Sequence, residues 1–131
     1  MPREGCSLKP GTKAFDLVPD DSAAYMQAVQ AVEAAGISAL GIENPEATLG
    51  SVIRVIEKDP TWGLPFLRER TDAPTHATLL QMLRSIWRGH RDRHGSDAWE
   101  GVTHDETVAA VYLAVSLVGF FQGNLIRQRT D

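Results

Sequence analysis

The feature that most constrains the fold is an apolar stretch near the C-terminus. Residues 108–126 are apolar on nearly every face of a helix, and Thr103 and Glu106 before them have the spacing of a helix-capping box. The long apolar run, residues 108–121, is 14 residues long, which is short for a membrane span and typical of a buried helix. A helix that is apolar all round is buried within a bundle or shared with a partner subunit. We therefore predict a final helix over residues 104–128 that is central to the fold or lies at a subunit interface.

Three earlier segments carry apolar residues at helical spacing and have recognisable starts. A first helix is predicted over residues 21–35, because Asp20 or Asp21 can cap its first amides and Gly36 is a typical stop. A second is predicted over residues 45–58, with Asn44 as N-cap and Pro45 in the first turn, and a third over residues 74–92, opened by Asp72-Ala73-Pro74. The apolar stripes are Tyr25, Val29 and Val32; Leu49, Val52, Ile53 and Ile56; and Leu79, Leu80, Leu83, Ile86 and Trp87.

These patterns indicate an all-α fold, a small bundle of about four helices with a long apolar C-terminal helix. A chain of 131 residues that is 43% hydrophobic and 23% charged is long enough and apolar enough for one globular core. Residues 1–19, rich in Pro, Gly and Lys, are expected to be a flexible or extended arm, and residues 20–131 the single helical-bundle domain. Residues 37–43 fit a loop or a short strand, and residues 62–67 fit an irregular apolar loop or a single turn at one end of the core.

The expected compartment is the cytoplasm, with no membrane partner. Cys6 is the single cysteine, so no disulfide within the chain can form, and the N-terminal residues lack the charged and apolar regions of a signal peptide.

The charge distribution singles out one stretch, Arg84 to Gly95. The net charge of the chain is −4, which argues against a general polyanion binder, but residues 84–94 carry four arginines and one acid, a local charge of +3. Arg84, Arg88 and Arg91 recur three or four residues apart, so they share one side of the third helix near its C-terminal end. Such a basic island on an acidic protein suits one anionic group held at one place.

The order of residues within this island carries a resemblance to a known family. Arg88 is followed after five residues by His94-Gly95, with Asp92 between them, and then by a polar loop and the capped apolar helix. Over residues 79–128 the chain resembles the HEPN superfamily, and more narrowly the C-terminal domain of abortive-infection proteins, whose members carry such an Arg and His at the end of a helix in an all-α bundle.

The resemblance implies a metal-independent endoribonuclease of a toxin or phage-defence system, with a cleft formed by two subunits and no cofactor. It implies Arg88 and His94 as catalytic residues, since histidine transfers protons near neutral pH and arginine binds phosphate oxygens in a fork. The family often has Asn, Asp or His directly after the Arg, where this chain has Gly89, so that polar group is either missing or supplied by His90 or Asp92. The expected partners are RNA, a second copy of the chain held through the C-terminal helix, and a cognate antitoxin or a larger defence protein. The substrate-binding residues expected are Arg84, His90, Arg91, Asp92 and Arg93.

Structural explanations of the same residues remain open. Arginines at a helix C-terminus also fit a solvated, salt-bridged helix end, because cations there interact favourably with the negative end of the helix dipole. His94 also fits a loop or C-cap position, and the His90 and His94 spacing suits zinc but lacks an obvious third ligand. The alternative function is therefore a non-catalytic helical module that dimerises or docks a partner on the same scaffold.

Overall fold

The computed structural model describes residues 20–66, 71–94 and 102–129, with the backbone alone for residues 90–94. Within these ranges the chain forms four helices and one two-stranded antiparallel sheet, so the predicted all-α bundle is confirmed. The predicted arm, residues 1–19, lies outside the described residues. The elements in chain order are α1 (Asp21–Leu40), α2 (Leu49–Lys58), β1 (Trp62–Gly63), α3 (Thr75–His94), α4 (His104–Gln122) and β2 (Arg127–Gln128).

Helix α1 begins as predicted but does not end where Gly36 suggested. The Asp20 carboxylate accepts a hydrogen bond from the Ala23 amide at 3.1 Å, which is an N-cap contact. The predicted stop at Gly36 is wrong, because that residue is buried in the helix and the chain turns only at Gly41, which has a left-handed φ of 67°. The Ile42 amide then donates to the Ile37 carbonyl at 3.1 Å, closing the helix end. A glycine does end the helix, but it is Gly41 and not Gly36.

Helix α2 begins at Leu49, four residues later than predicted. The Asn44 side chain does accept a backbone amide, that of Glu46 at 2.9 Å, but the bond closes a turn over residues 44–47 and not a helix. The amide of Leu49 donates to the Glu33 carboxylate of α1 at 2.9 Å. A side chain from another helix thus satisfies a first-turn amide of α2, and local sequence gives no sign of such a contact.

Helix α3 agrees with its prediction within two residues at each end, and α4 begins as predicted. The Thr103 hydroxyl accepts from the Glu106 amide at 3.0 Å, while the Thr103 amide donates to the Glu106 carboxylate at 2.8 Å, a complete capping box. The predicted end of α4 at residue 128 is wrong. The helix ends at Gln122, because Asn124 takes a left-handed φ of 59° and the chain turns away.

The residues after α4 return to pair with the segment that follows α2. In the short sheet Trp62 lies opposite Gln128 and Gly63 opposite Arg127, so the predicted irregular loop over residues 62–67 is a strand at its start. Asp59, at the end of α2, accepts hydrogen bonds from the Thr61 hydroxyl at 2.6 Å and from the Gln128 side chain at 2.8 Å. The hydrogen bonds from Thr61, followed by that from Gln128, hold the pKa of Asp59 below its usual value. These contacts fix the C-terminal segment to the bundle.

Helix α1 occupies the middle of the bundle, since it packs against α2, α3 and α4. It runs parallel to α4: the Thr107 hydroxyl donates to the Asp21 carbonyl at 3.2 Å near one end, and Gly36 approaches Phe121 near the other. The three predicted stripes are buried except for Trp87, which is partly buried at the edge of the core. The residues that share the core from α4 and beyond are Ala110, Ala114, Leu117, Phe121 and Ile126.

Helix α4 is therefore not central within the chain, which corrects that prediction. Its outer face, defined by Val108, Val111, Tyr112 and Val115, is exposed, with Tyr112 72% and Val115 66% accessible. By length and composition alone the helix could cross a membrane, but core helices of soluble proteins pass the same test, so this is weak evidence. That α4 is shared with a partner subunit stays a prediction.

Two glycines within helices allow a matched test of the packing at the centre. A methyl group at Gly36 would lie 2.9 Å from a methyl of the buried, stiff side chain of Val52, whereas nothing lies within 4 Å of one at Gly119. We expect Gly36→Ala to lower the free energy of unfolding by about 1 kcal/mol, because overpacking outweighs the gain in helix propensity. Gly119→Ala is expected to raise it by about 0.5–1 kcal/mol. Urea denaturation measures both, and stabilisation by Gly36→Ala would contradict the described packing.

Candidate functional site at the basic end of α3

All seven predicted site residues lie on the last three turns of α3, because the helix continues through Gly89 to His94. In a continuous helix Arg88 and His94 are about 9 Å apart along the axis and project from it in directions about 120° apart. The side chains of five predicted residues lie outside the described residues: His90, Arg91, Asp92, Arg93 and His94. Arg84 and Arg88 can be described in full.

Arg84 and Arg88 have different surroundings. The guanidinium of Arg84 lies 2.6 Å from the Glu57 carboxylate of α2, and the two side chains are 26% and 53% exposed. For Arg84 the salt-bridged explanation therefore applies, and such a half-exposed pair contributes little to stability. Arg88 is exposed, and among the described residues its side chain makes no hydrogen bond or ion pair. Of the predicted catalytic pair, Arg88 and His94, only the side chain of Arg88 can be described, and it faces solvent.

Both arginines line a cleft between α2 and α3, which we call the α2–α3 cleft. It has a volume of about 170 Å³ and holds three arginines against one carboxylate, a formal charge of +2. The third arginine, Arg54 of α2, is exposed and makes no hydrogen bond or ion pair among the described residues. The lining residues are Gly50, Ile53, Arg54, Glu57, Arg84, Trp87 and Arg88.

Arg54 was missed by the sequence analysis because it lies 30 positions before Arg84, outside the basic island. One signal was present: Arg54 directly follows Ile53 of the stripe that packs into the core, so it lies at the edge of the packed face. Without knowing that α2 and α3 are neighbours, that position could not be connected with Arg88.

The floor of the cleft depends on close packing between the two helices. The indole of Trp87 lies against Gly50, so that a methyl group at Gly50 would be 3.2 Å from two of its ring atoms. That contact is tighter than most side chains tolerate. Trp87 is thereby held in place with one part of its ring system lining the cleft beside Arg84 and Arg88.

The glycine after Arg88, where the resemblance implied a polar residue, has a structural cause. The Tyr25 hydroxyl of α1 donates to the Ile86 carbonyl at 3.0 Å and occupies the space that a side chain at Gly89 would need. Position 89 faces α1 and not the α2–α3 cleft. A polar group at this position is therefore excluded by the bundle itself.

The two histidines whose side chains the structure describes, His76 and His104, make structural contacts. The His76 Nδ1 atom lies 2.7 Å from the Trp62 carbonyl, which supports β1, and the His104 Nδ1 atom lies 3.1 Å from the Asp21 carboxylate, which joins the starts of α1 and α4. In the part of the chain that the structure describes, no three His, Cys, Asp or Glu side chains are grouped as a metal site requires.

Comparison with known proteins adds no relative: no family model, no curated protein and no solved structure matches this chain.

The contact between Tyr25 and Gly89 can be tested by a double-mutant cycle. Gly89→Ala is expected to lower the free energy of unfolding by about 1–3 kcal/mol, because its methyl group overlaps the Tyr25 hydroxyl. In the Tyr25→Phe background the hydroxyl is gone, so the same substitution should cost less, although the ring carbon nearby leaves part of the cost. Chemical denaturation of the four proteins gives the coupling. Strictly additive effects would show that the two positions do not meet.

Proposed function

We propose that the protein is a metal-independent endoribonuclease of a cytoplasmic toxin or phage-defence system, with Arg88 and His94 as its catalytic pair. The observation that supports it best is the state of Arg88, which is exposed at a basic cleft and bonded to no acid among the described residues. Arg84, by contrast, is paired with Glu57.

The reaction that this pair supports is transesterification within RNA. A base removes the proton of a ribose 2′-hydroxyl, and the 2′-oxygen attacks the adjacent phosphorus. The bond from phosphorus to the 5′-oxygen breaks, and an acid protonates that leaving oxygen. The products are a 2′,3′-cyclic phosphate and a 5′-hydroxyl. No oxidant, metal or external nucleophile takes part.

In this proposal Arg88 stabilises the negative charge that develops on the phosphorane, and His94 transfers a proton. Arg84, His90, Arg91, Asp92 and Arg93 position the RNA strand around that pair. One histidine cannot act as base and acid in the same step, so a second subunit would supply the other proton transfer. The outer face of α4 is the surface proposed for that dimer, and a cognate antitoxin or larger defence protein is a further proposed partner.

The second candidate function is a helical module that dimerises or docks a partner without catalysis. The exposure of Tyr112 and Val115 on the outer face of α4 favours it, because side chains of this size are usually covered. The two candidates share the dimer and differ in the chemistry at Arg88 and His94.

Substitutions at the catalytic pair test the first candidate. We expect His94→Ala to abolish cleavage of mixed RNA, since no other group at that position transfers a proton. Arg88→Ala should slow cleavage by about 10²–10³, the size of one lost preorganised charge. Substitution of Arg91 or Arg93 should weaken RNA binding and leave the chemical step intact. Gel assays under chelating conditions, with identification of the product ends, measure these effects.

Chelator alone should leave the rate unchanged. Cleavage that survives His94→Ala, or that stops on adding chelator, would contradict the proposed mechanism and leave the non-catalytic module as the better account.

Substitutions on the outer face of α4 test the assembly. Val115→Asp is expected to convert a dimer to a monomer, because it places a charge in an apolar contact that cannot pair it. Gln30→Asp is the control, since Gln30 is exposed on α1 and does not belong to the outer face of α4. Light scattering at tens of micromolar protein measures the mass. A wild-type monomer, or equal effects of the two substitutions, would refute assembly through this face.

A further inference from the structure

The α2–α3 cleft has a charge arrangement that the Arg88 and His94 pair does not require. Two of its three guanidinium groups, those of Arg54 and Arg88, are exposed and make no ion pair among the described residues. The third, that of Arg84, is held by Glu57 at 2.6 Å. The cleft therefore presents two available cations and one that is neutralised by a partner.

From this arrangement we propose that the α2–α3 cleft is a phosphate-binding subsite for single-stranded RNA, with Arg54 as its binding residue and Glu57 as a group that limits its affinity. Arg54 lies on α2, whereas both residues of the proposed catalytic pair lie on α3. It is thus a positioning residue, which binds the strand and takes no part in bond breaking.

The chemistry of the lining favours a phosphodiester. Guanidinium groups bind phosphate oxygens through two parallel hydrogen bonds, so Arg54 can hold one phosphate while Arg88 holds the next. A volume of about 170 Å³ suits one phosphate group with part of its nucleotide. The net charge of −4 opposes long polyanions elsewhere on the surface, so binding concentrates at this cleft.

The proposed function supplies the identity of the polyanion as RNA, and the inference rests on it to that extent. Because Arg88 also lines the cleft, a strand bound there passes the arginine of the proposed catalytic pair. The phosphate held by Arg54 is then a neighbour of the one that is cleaved, which keeps the ribose positioned.

The test uses the full chain and a fluorescent, non-cleavable 2′-O-methyl RNA oligonucleotide, with binding followed by anisotropy. Arg54→Gln should weaken binding about tenfold, the loss expected for one charge-assisted contact. The log–log salt slope should fall by about 0.7, as for one phosphate contact on a single strand. Lys58→Gln is the matched control, because Lys58 is exposed on the same helix and does not line the cleft. It should change binding by less than Arg54→Gln does.

Glu57→Gln provides an effect of opposite sign. Removal of its charge frees Arg84, so binding of the oligonucleotide should tighten by more than it does on removal of an exposed acid outside the cleft, Glu43→Gln. Arg54→Lys keeps the charge but loses the fork, and should recover only part of the affinity.

Equal losses for Arg54→Gln and Lys58→Gln, or weaker binding by Glu57→Gln, would overturn the inference. Arg54-dependent binding of a polyglutamate peptide without binding of RNA would also overturn it and would indicate an acidic protein partner. The proposed nuclease is judged separately by cleavage of unmodified RNA. If RNA binds through Arg54 but is not cleaved, the subsite is supported and the nuclease is refuted. If RNA is cleaved but Arg54→Gln and Lys58→Gln lose equal affinity, the nuclease is supported and the subsite is refuted.

Discussion

Close packing around α1 is the constraint on which the rest of the bundle depends. This helix contacts α2, α3 and α4, and it can do so because its buried positions include the small residues Ala28, Ala35 and Gly36. Small side chains let helix backbones approach closely, so three neighbours can pack around one helix in a chain of this size. At one end Gly36 admits Val52 and Phe121; nearer the other, Tyr25 reaches into the space left by Gly89.

The candidate site follows from that packing. Glu33 of α1 caps the start of α2, and the Tyr25 hydroxyl bonds to the Ile86 carbonyl of α3, so α1 fixes the positions of both helices that form the α2–α3 cleft. The backbone positions of the arginines that line the cleft are thereby fixed on helices rather than on loops. The Tyr25 hydroxyl, which bonds to the Ile86 carbonyl, also fills the space beside residue 89. It therefore explains why this residue is a glycine and why the chain differs there from the HEPN pattern that it resembles.

The sequence predicted much of the helical framework because apolar spacing and end signals are local properties. The Thr103 and Glu106 capping box and the Asp20 cap formed as expected. The errors had two causes. Gly36 looked like a helix stop but serves as a packing position, which depends on a tertiary contact. Asn44 caps a turn, whereas α2 begins after Thr48, whose amide donates to the Ser51 side chain at 3.0 Å, so a second local cap was overlooked.

The role of α4 and the composition of the site were harder to predict, for a related reason. Hydrophobicity alone placed α4 at the centre, yet its outer face is exposed and α1 takes the central position. Arg84 and Arg88 were found as a local cluster of charge, but Arg54 and Glu57 join them only through the packing of α2 on α3. The charge of the cleft is set by residues distant in sequence, which no spacing rule reveals.

The most direct test of this account is a crystal structure of the protein with a short RNA that carries a 2′-deoxy residue at the cleavage site. The account predicts one phosphate bound to the Arg88 guanidinium near His94, and a neighbouring phosphate bound by Arg54 in the α2–α3 cleft. It would be contradicted by an Arg88 engaged by carboxylates of its own subunit, with the RNA bound elsewhere or not at all.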